Sequence, residues 1–405
     1  MLYRLYELQR AALAPMALAA ETTRLAADIL FAPSGGHHFG RAAAAACEIF
    51  ARSTRRHRNV AFDIASVVID RTSVAVEENV AAELPFCTLR HFARRTARRD
   101  PKVLVVAPLS GHFSALLNDA VQALLEAHDV YVTDWHDARE VPLGAGPFDL
   151  DSYVAYLIGF LRRLGPALHV VAFSQSTVPA LAAAALLAQA GDDAEPSTLT
   201  LVAGPIDARV NATPAQRLAA GQPRSFFEAA MVTRVPPGYA GAGRRVLPGF
   251  VQLAGYISHN LERHMTAHWD FFGRLVEGDR EAADAHRRFY DRFFSVLDLP
   301  AEFFFATLES VFQKQRLARG TMTWRELAVE PQALRRPALL TIEGGLDDVS
   351  APGQTRAAHA LCPAIPAARR AHHLEPAAGH LALFYGRHWR EAILPRIAAF
   401  IRAQG

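Results

Sequence analysis

A chain of 405 residues, 51% hydrophobic and 20% charged, carries enough apolar material for a large core, which excludes a disordered chain. The net charge of +3 rests almost wholly on arginine, with Lys102 and Lys314 the only lysines, and is too small and scattered to argue for a nucleic-acid partner. Cys47, Cys87 and Cys362 lie far apart without C-x-x-C spacing, so neither a disulfide framework nor a zinc site is expected. No apolar run approaches the roughly 20 residues of a membrane span. The N-terminus is interrupted by charges and lacks the features of a secretory signal, so a cytoplasmic protein is expected. No Gly/Ser-rich or charged linker divides the chain, which favours one domain with a large insertion over two independent ones.

Residues 1–60 read as an N-terminal helical segment, with one helix from the start, a loop at Pro33 to His38 and a second helix ending near Arg52. The first helix is amphipathic; packing on its own domain is preferred to docking on a foreign surface. From Phe62 to Phe92, short β-branched runs alternate like antiparallel strands. Apolar runs follow at Val103–Ala107, Val130–Thr133, Val170–Phe173, Leu199–Val202 and Ala338–Ile342, with helical stretches between them. That alternation means right-handed βαβ units and a doubly wound, mostly parallel sheet, an α/β architecture.

The run HVVAFSQSTVPALAA, His169 to Ala183, holds the organising feature. A strand buried on both faces ends at Phe173, and an Ala- and Leu-rich helix begins near Val178, with Pro179 in its first turn, where a missing N–H costs nothing. Ser174 stands between them, where an α/β-hydrolase folds its nucleophile elbow. The usual G-x-S-x-G is here Ala172-Phe173-Ser174-Gln175-Ser176, so only small residues remain at the glycine positions, and an ordinary helix N-cap is the plainer alternative. Residues 61–207 and 332–405 would form the hydrolase domain. Residues 208–331, aromatic and helix-like, interrupt the sheet after its sixth strand, where such folds insert a cap.

A serine nucleophile in this fold needs an acid and a base later in the chain, in that order, on loops at the carboxyl ends of strands. ALLTIEGGLDD places Asp347 on a Gly-permitted turn after a strand, and LEPAAGHLALF places His380 on a loop before the last helix, Trp389 to Ala403. Asp348 and Asp207 remain rivals for the acid. The oxyanion would take the Gln175 N–H and one from the loop PLSGHFS, with Ser110, Gly111 and His112 as candidates, and Trp135 on the neighbouring strand end would line the pocket. His264 and His268, spaced i, i+4, lack the glutamate of a zinc-protease helix, so no metal and no cofactor are expected. The aromatic segment Phe293 to Phe312, with Phe303, Phe304 and Phe305 in a row, offers more apolar surface than one helix face buries, so some of it is expected to be exposed and to dock on substrate, packing of the cap onto the sheet domain being the alternative.

The elbow FSQSTVP, the strand end VTDWHDAREVPLGAGPFDLDSYV, the segment DLPAEFFFATLESVFQKQRLARG and the tail GHLALFYGRHWREAILPRI together resemble the intracellular polyhydroxyalkanoate (polyhydroxybutyrate) depolymerases. LQRAALAPM and FGRAAAAACEIFAR resemble the start of that family too, so the likeness runs over nearly the whole chain. The resemblance implies an α/β-hydrolase that hydrolyses 3-hydroxybutyrate esters, polymer or oligomer, at storage granules, with Ser174, Asp347 and His380 as its triad. Many members have Cys-Gln-Pro where this chain has Ser174-Gln175-Ser176, so the implied nucleophile here is a hydroxyl. A hydrolase of short-chain esters and a non-catalytic granule-binding protein are the alternatives.

Overall fold

The structure, a computed structural model, describes residues 2–31, 38–55, 57 and 60–404. A nine-stranded sheet runs through its centre: β1 (Ser66–Ile69), β2 (Thr72–Leu84), β3 (Cys87–Arg94), β4 (Lys102–Val106), β5 (Asp129–Trp135), β6 (Leu168–Phe173), β7 (Thr198–Val202), β8 (Ala338–Gly344) and β9 (Arg370–Glu375). Their spatial order is β1-β2-β3-β5-β4-β6-β7-β8-β9. The first three strands pair antiparallel with their neighbours, and the six from β5 to β9 run parallel to one another. This is the α/β-hydrolase fold. Every residue of β6, β7 and β8 is buried, as strands covered by helices on both faces must be.

Local chemistry sets the boundaries. Asp70 and Arg71 both take positive φ, 49° and 66°, and close β1 onto β2 as a two-residue hairpin whose twist suits the strands. Asp149 caps the helix Leu150–Leu164, its carboxylate accepting the Ser152 N–H at 2.9 Å. The helix after β6, Thr177–Gln189, is almost wholly buried, because its alanines let it lie close on the sheet.

The sequence undercounts the strands. The insertion follows the seventh strand in chain order, not the sixth, because β1 and β2 both join the sheet. The edge strand β9 is polar and half exposed, RAHHLE, and so shows no apolar run. The last helix is not continuous from Trp389: residues Trp389–Ile393 form a wide π turn before a regular helix, Leu394–Arg402. Pro395 in its first turn donates no N–H and crowds the carbonyl four residues back, which accounts for the widened turn.

Between β7 and β8 stand helices α6 (Pro214–Gly221), α7 (Arg224–Met231), α8 (Gly249–His259), α9 (Leu261–Glu277), α10 (Arg280–Phe293) and α11 (Ala301–Thr307), numbered after five helices that precede them. A small antiparallel sheet, Thr233–Arg234, Arg245–Leu247 and Leu299–Pro300, was not signalled by the sequence. Phe303 and Phe305 are 1% and 3% exposed, so of the aromatic row only Phe304, which is partly buried, keeps any of the expected exposure. Phe303 packs on Tyr153 at 5.6 Å and Phe148 at 5.9 Å, joining the insertion to the main core. Burial alternates along α11: Ala301, Phe303, Phe305 and Thr307 are enclosed, while Glu302, Phe304 and Ala306 stay partly exposed.

The N-terminal helices are α1 (Leu2–Phe31) and α2 (His38–Thr54); of the loop expected from Pro33 to His38, residues 33–37 lie outside the described residues and His38 opens α2. Tyr6 stacks on Phe250 at 4.1 Å, and the buried Tyr3 hydroxyl donates to Asp298. The α1 helix thus packs through its tyrosines, while Leu5 and Leu8 stay 64% and 68% exposed. Among the described residues no helix is long and apolar enough to cross a membrane.

Candidate active site

The parallel register β4–β6 pairs Val106 with Ala172, so the loops leaving these two strands emerge side by side. Ser174 follows β6 directly with φ of 54°, a left-handed conformation that a residue with a Cβ rarely takes, and the helix starts three residues later. The turn is held from beneath. Ser176 Oγ donates to the Val106 carbonyl at 2.7 Å and accepts the Phe173 N–H at 3.0 Å, and Thr177 Oγ1 donates to the Ser174 carbonyl at 2.8 Å. Gly204, after β7, has no room for a side chain, since a Cβ there would stand 1.8 Å from Thr177 Oγ1. Ser176 therefore does more than leave space where the usual elbow has glycine: it pins the turn to the neighbouring strand.

Ser174 is the N-cap of neither helical turn that follows it; those positions fall to Phe173 and Ser176. Ser174 Oγ lies 3.0 Å from His380 Nε2, and His380 Nδ1 lies 2.8 Å from Asp347 Oδ2. An ionised carboxylate only accepts, so Nδ1 carries the hydrogen, and in the neutral ring Nε2 is left as the acceptor for the serine proton. Asp347, 5% exposed, is fixed through its other oxygen, Oδ1, which accepts the N–H groups of Val349 and Ser350, each at 2.8 Å. Gly344 and Gly345 allow this turn, because a Cβ at either would meet a backbone carbonyl of residues 376–378 at 2.4 Å. The three residues thus form a continuous chain of hydrogen bonds from a buried acid to a hydroxyl.

Both rivals for the acid are engaged elsewhere. Asp348 accepts from Asn260 Nδ2 at 2.9 Å and sits 3.5 Å from His259. Asp207 binds the Arg209 guanidinium at 2.8 and 2.7 Å. Its carboxyl is held below the ordinary range by that bond.

Of the remaining candidates, Gln175 follows Ser174 in the elbow, and Ser110, Gly111 and His112 lie on the loop that leaves β4 beside it. Gly111 has φ of +101°, and its carbonyl accepts the Leu297 N–H at 2.8 Å. His112 is buried between the rings of Tyr256 and Phe293, at 4.9 and 5.0 Å, and burial lowers its pKa to about 4, so the ring is neutral. Trp135 is the exception. It is 1% exposed, donates from Nε1 to the Ala107 carbonyl at 2.8 Å and packs on Tyr153 at 4.2 Å, so it belongs to the core and does not line the pocket. His264 bonds the Tyr290 hydroxyl, His268 bonds a backbone carbonyl, and among the described residues no cluster of metal-ligating side chains occurs.

Tyr256, whose hydroxyl donates to the Ser110 carbonyl at 2.6 Å, went unnoticed in the sequence. Nothing in its own surroundings, GYISHN, carries a motif; only the fold brings α8 to the loop after β4.

A search of curated proteins finds no match to this chain. Among solved structures, similarity extends to the monoacylglycerol lipase of Paleococcus ferrophilus, with 14% identity, 76% of this chain and 96% of that one covered, and a TM-score of 0.43. It extends also to a 2-hydroxy-6-oxo-6-phenylhexa-2,4-dienoate hydrolase from Rhodococcus sp. strain RHA1, at 15% identity, 81% and 99% coverage and a TM-score of 0.45. A hypothetical protein from Pseudomonas aeruginosa gives 14% identity, 87% and 100% coverage and a TM-score of 0.46. The family described as PHB de-polymerase C-terminus matches residues 203–405, just over half of the chain. That stretch contains Asp347 and His380, while Ser174 comes from the part before it. A carboxylic ester hydrolase built on the α/β-hydrolase fold, the chain belongs to the PHB depolymerase family.

Proposed function

We propose that the protein is a serine-type depolymerase that hydrolyses the ester bonds of poly(3-hydroxybutyrate), with Ser174 as nucleophile, His380 as general base and acid, and Asp347 as the group that orients the imidazole. The hydrogen-bond chain from Ser174 through His380 to Asp347 carries this reading. His380 Nε2 takes the hydroxyl proton as Ser174 Oγ adds to the ester carbonyl, and the new oxyanion receives the Gln175 N–H and one from the Ser110–His112 loop. Collapse breaks the ester C–O bond, and His380 returns its proton to the departing alkoxide. Water then adds to the acyl-serine with His380 again taking the proton; collapse breaks the acyl C–Oγ bond, His380 returns its proton to Ser174 Oγ, and the acid is released.

Each half of the cycle needs a bare Nε2 at the start, and the bond of His380 Nδ1 to Asp347 turns that nitrogen to Ser174. The polymer would be met at the surface of cytoplasmic granules. Burial of Phe303 and Phe305 favours a second reading, in which soluble 3-hydroxybutyrate oligomers are the substrate, because only the partly buried Phe304 of the aromatic row is left for a polymer surface. The test is to incubate the protein with native amorphous granules and with soluble oligomers, with and without coenzyme A, and to identify the acids or thioesters released. A fluorophosphonate probe run alongside should label Ser174. Labelling with release from granules supports the polymer, labelling with release from oligomers alone supports the second reading, and no labelling of Ser174 removes the nucleophile.

A further inference from the structure

The loop that leaves β4 is fastened mainly to the insertion. Tyr256 Oη of α8 donates to the Ser110 carbonyl at 2.6 Å. Leu297 N–H donates to the Gly111 carbonyl at 2.8 Å, and His112 pairs with Val296 in an isolated antiparallel bridge. Gln252 of α8 lies directly over Gly111, where a Cβ would stand 2.6 Å from its Oε1. Gln252 is itself held by Nε2 bonds to the Leu247 and Leu297 carbonyls, at 3.2 and 3.4 Å.

A peptide unit is planar and trans, so its C=O and its N–H point in opposite directions. The Ser110 carbonyl and the Gly111 N–H belong to one such unit. Whatever fixes the first therefore aims the second. The unit also adjoins Gly111, at φ of +101°, a residue that can take up either sign of φ and so offers little resistance to a flip of the plane. The only side-chain hydrogen bond to the Ser110 carbonyl among the described residues is that from Tyr256.

We infer that Tyr256 is a positioning residue for the oxyanion site: by holding the Ser110 carbonyl towards α8, its hydroxyl aims the Gly111 N–H towards the elbow, where the oxyanion forms at Ser174. This rests on the reading of Ser174 as nucleophile. Tyr256 touches neither substrate nor the reacting atoms. Its effect falls on the transition state alone, because the oxyanion takes a stronger bond from the amide than the ester carbonyl does.

The experiment replaces the hydroxyl only. In Tyr256→Phe the kcat on p-nitrophenyl butyrate should fall about 10- to 100-fold with KM unchanged within about twofold, and the inhibition constant of butaneboronic acid, which forms a tetrahedral adduct on the serine, should rise by the same factor. A purely structural role would instead lower the melting temperature and leave boronate affinity per folded site intact. Installing p-aminophenylalanine at position 256 returns a donor to the same place and should restore both kcat and boronate affinity to within about threefold of wild type. If the phenylalanine variant folds poorly, this second variant carries the test, and recovery of folding without recovery of boronate affinity overturns the inference. Unchanged kcat and boronate affinity in Tyr256→Phe also overturn it. Ser174→Ala separates the two proposals: if that variant stays active, the nucleophile reading fails, whereas an enzyme that needs Ser174 but ignores Tyr256 loses only the present inference.

Discussion

Asp347 and His380 meet at 2.8 Å across the carboxyl edge of the sheet, and the acid's second oxygen is held by the two backbone N–H groups of Val349 and Ser350. A carboxylate clamped on one side can offer only its other side to the ring. The imidazole is thereby kept in the tautomer that leaves Nε2 free for Ser174.

Asp347→Asn should cost on the order of 10⁴ in kcat, because an amide can turn its NH₂ to the ring and reverse the tautomer. Asp348→Asn and Asp207→Asn should each stay within about threefold of wild type, since Asn260 and Arg209 engage those carboxylates. Steady-state rates on a soluble ester decide it, and a larger loss at either rival would reassign the acid.

Ser174→Ala should lower kcat about a million-fold while leaving the melting temperature near that of wild type. His380→Ala should cost about as much, and the double variant little more than either, because nucleophile and base act as a unit. Losses that multiply in the double variant would point to another base.

Phe303→Ser should destabilise the fold by about 3–5 kcal/mol, the usual range for removing a buried phenylalanine. Activity on granules and on p-nitrophenyl butyrate should fall together, in proportion to the folded fraction. A selective loss on granules with unchanged denaturant midpoint would restore the docking role that burial argues against.

Asp137 supplies a pH prediction. Burial first, and then the charge of Asp298, push its carboxyl up to about 7, even though Arg139 lies 2.7 Å away. The folded protein therefore holds a proton that the unfolded chain, with a carboxyl near 3.9, gives up earlier. The stability this contributes is complete below about pH 4 and is lost as pH rises through about 7. The melting temperature should accordingly fall from pH 5 to pH 8, and less so in Asp137→Asn. Equal slopes in the two proteins would show that Asp137 ionises normally.

The sequence reveals most of what local chemistry determines. Both-face burial marks β4 to β8, and order and context pick out, from among 17 histidines and many acids, the Ser174, Asp347 and His380 that the structure joins in one hydrogen-bond chain. What stays hidden depends on contacts between distant segments. Trp135 reads as a pocket residue because it ends a strand, yet Tyr153 and Ala107 enclose it. Phe303 to Phe305 read as surplus apolar surface because the helix Leu150–Leu164, which receives Phe303, lies far away in the sequence. Strand β9 is missed because an edge strand needs no apolar run, and Tyr256 because its bond to Ser110 spans 146 residues.

Ser174 and His380 stand on either side of the insertion between β7 and β8, 206 positions apart. A ribosome adding about 5–20 residues per second therefore exposes the elbow about 10–40 s before the histidine has been made. Through that interval the hydroxyl has no base to take its proton and is no more reactive than any other serine. On the proposed reading the nascent chain thus carries an inert elbow until β8 and β9 join the sheet and bring the loops bearing Asp347 and His380 to Ser174.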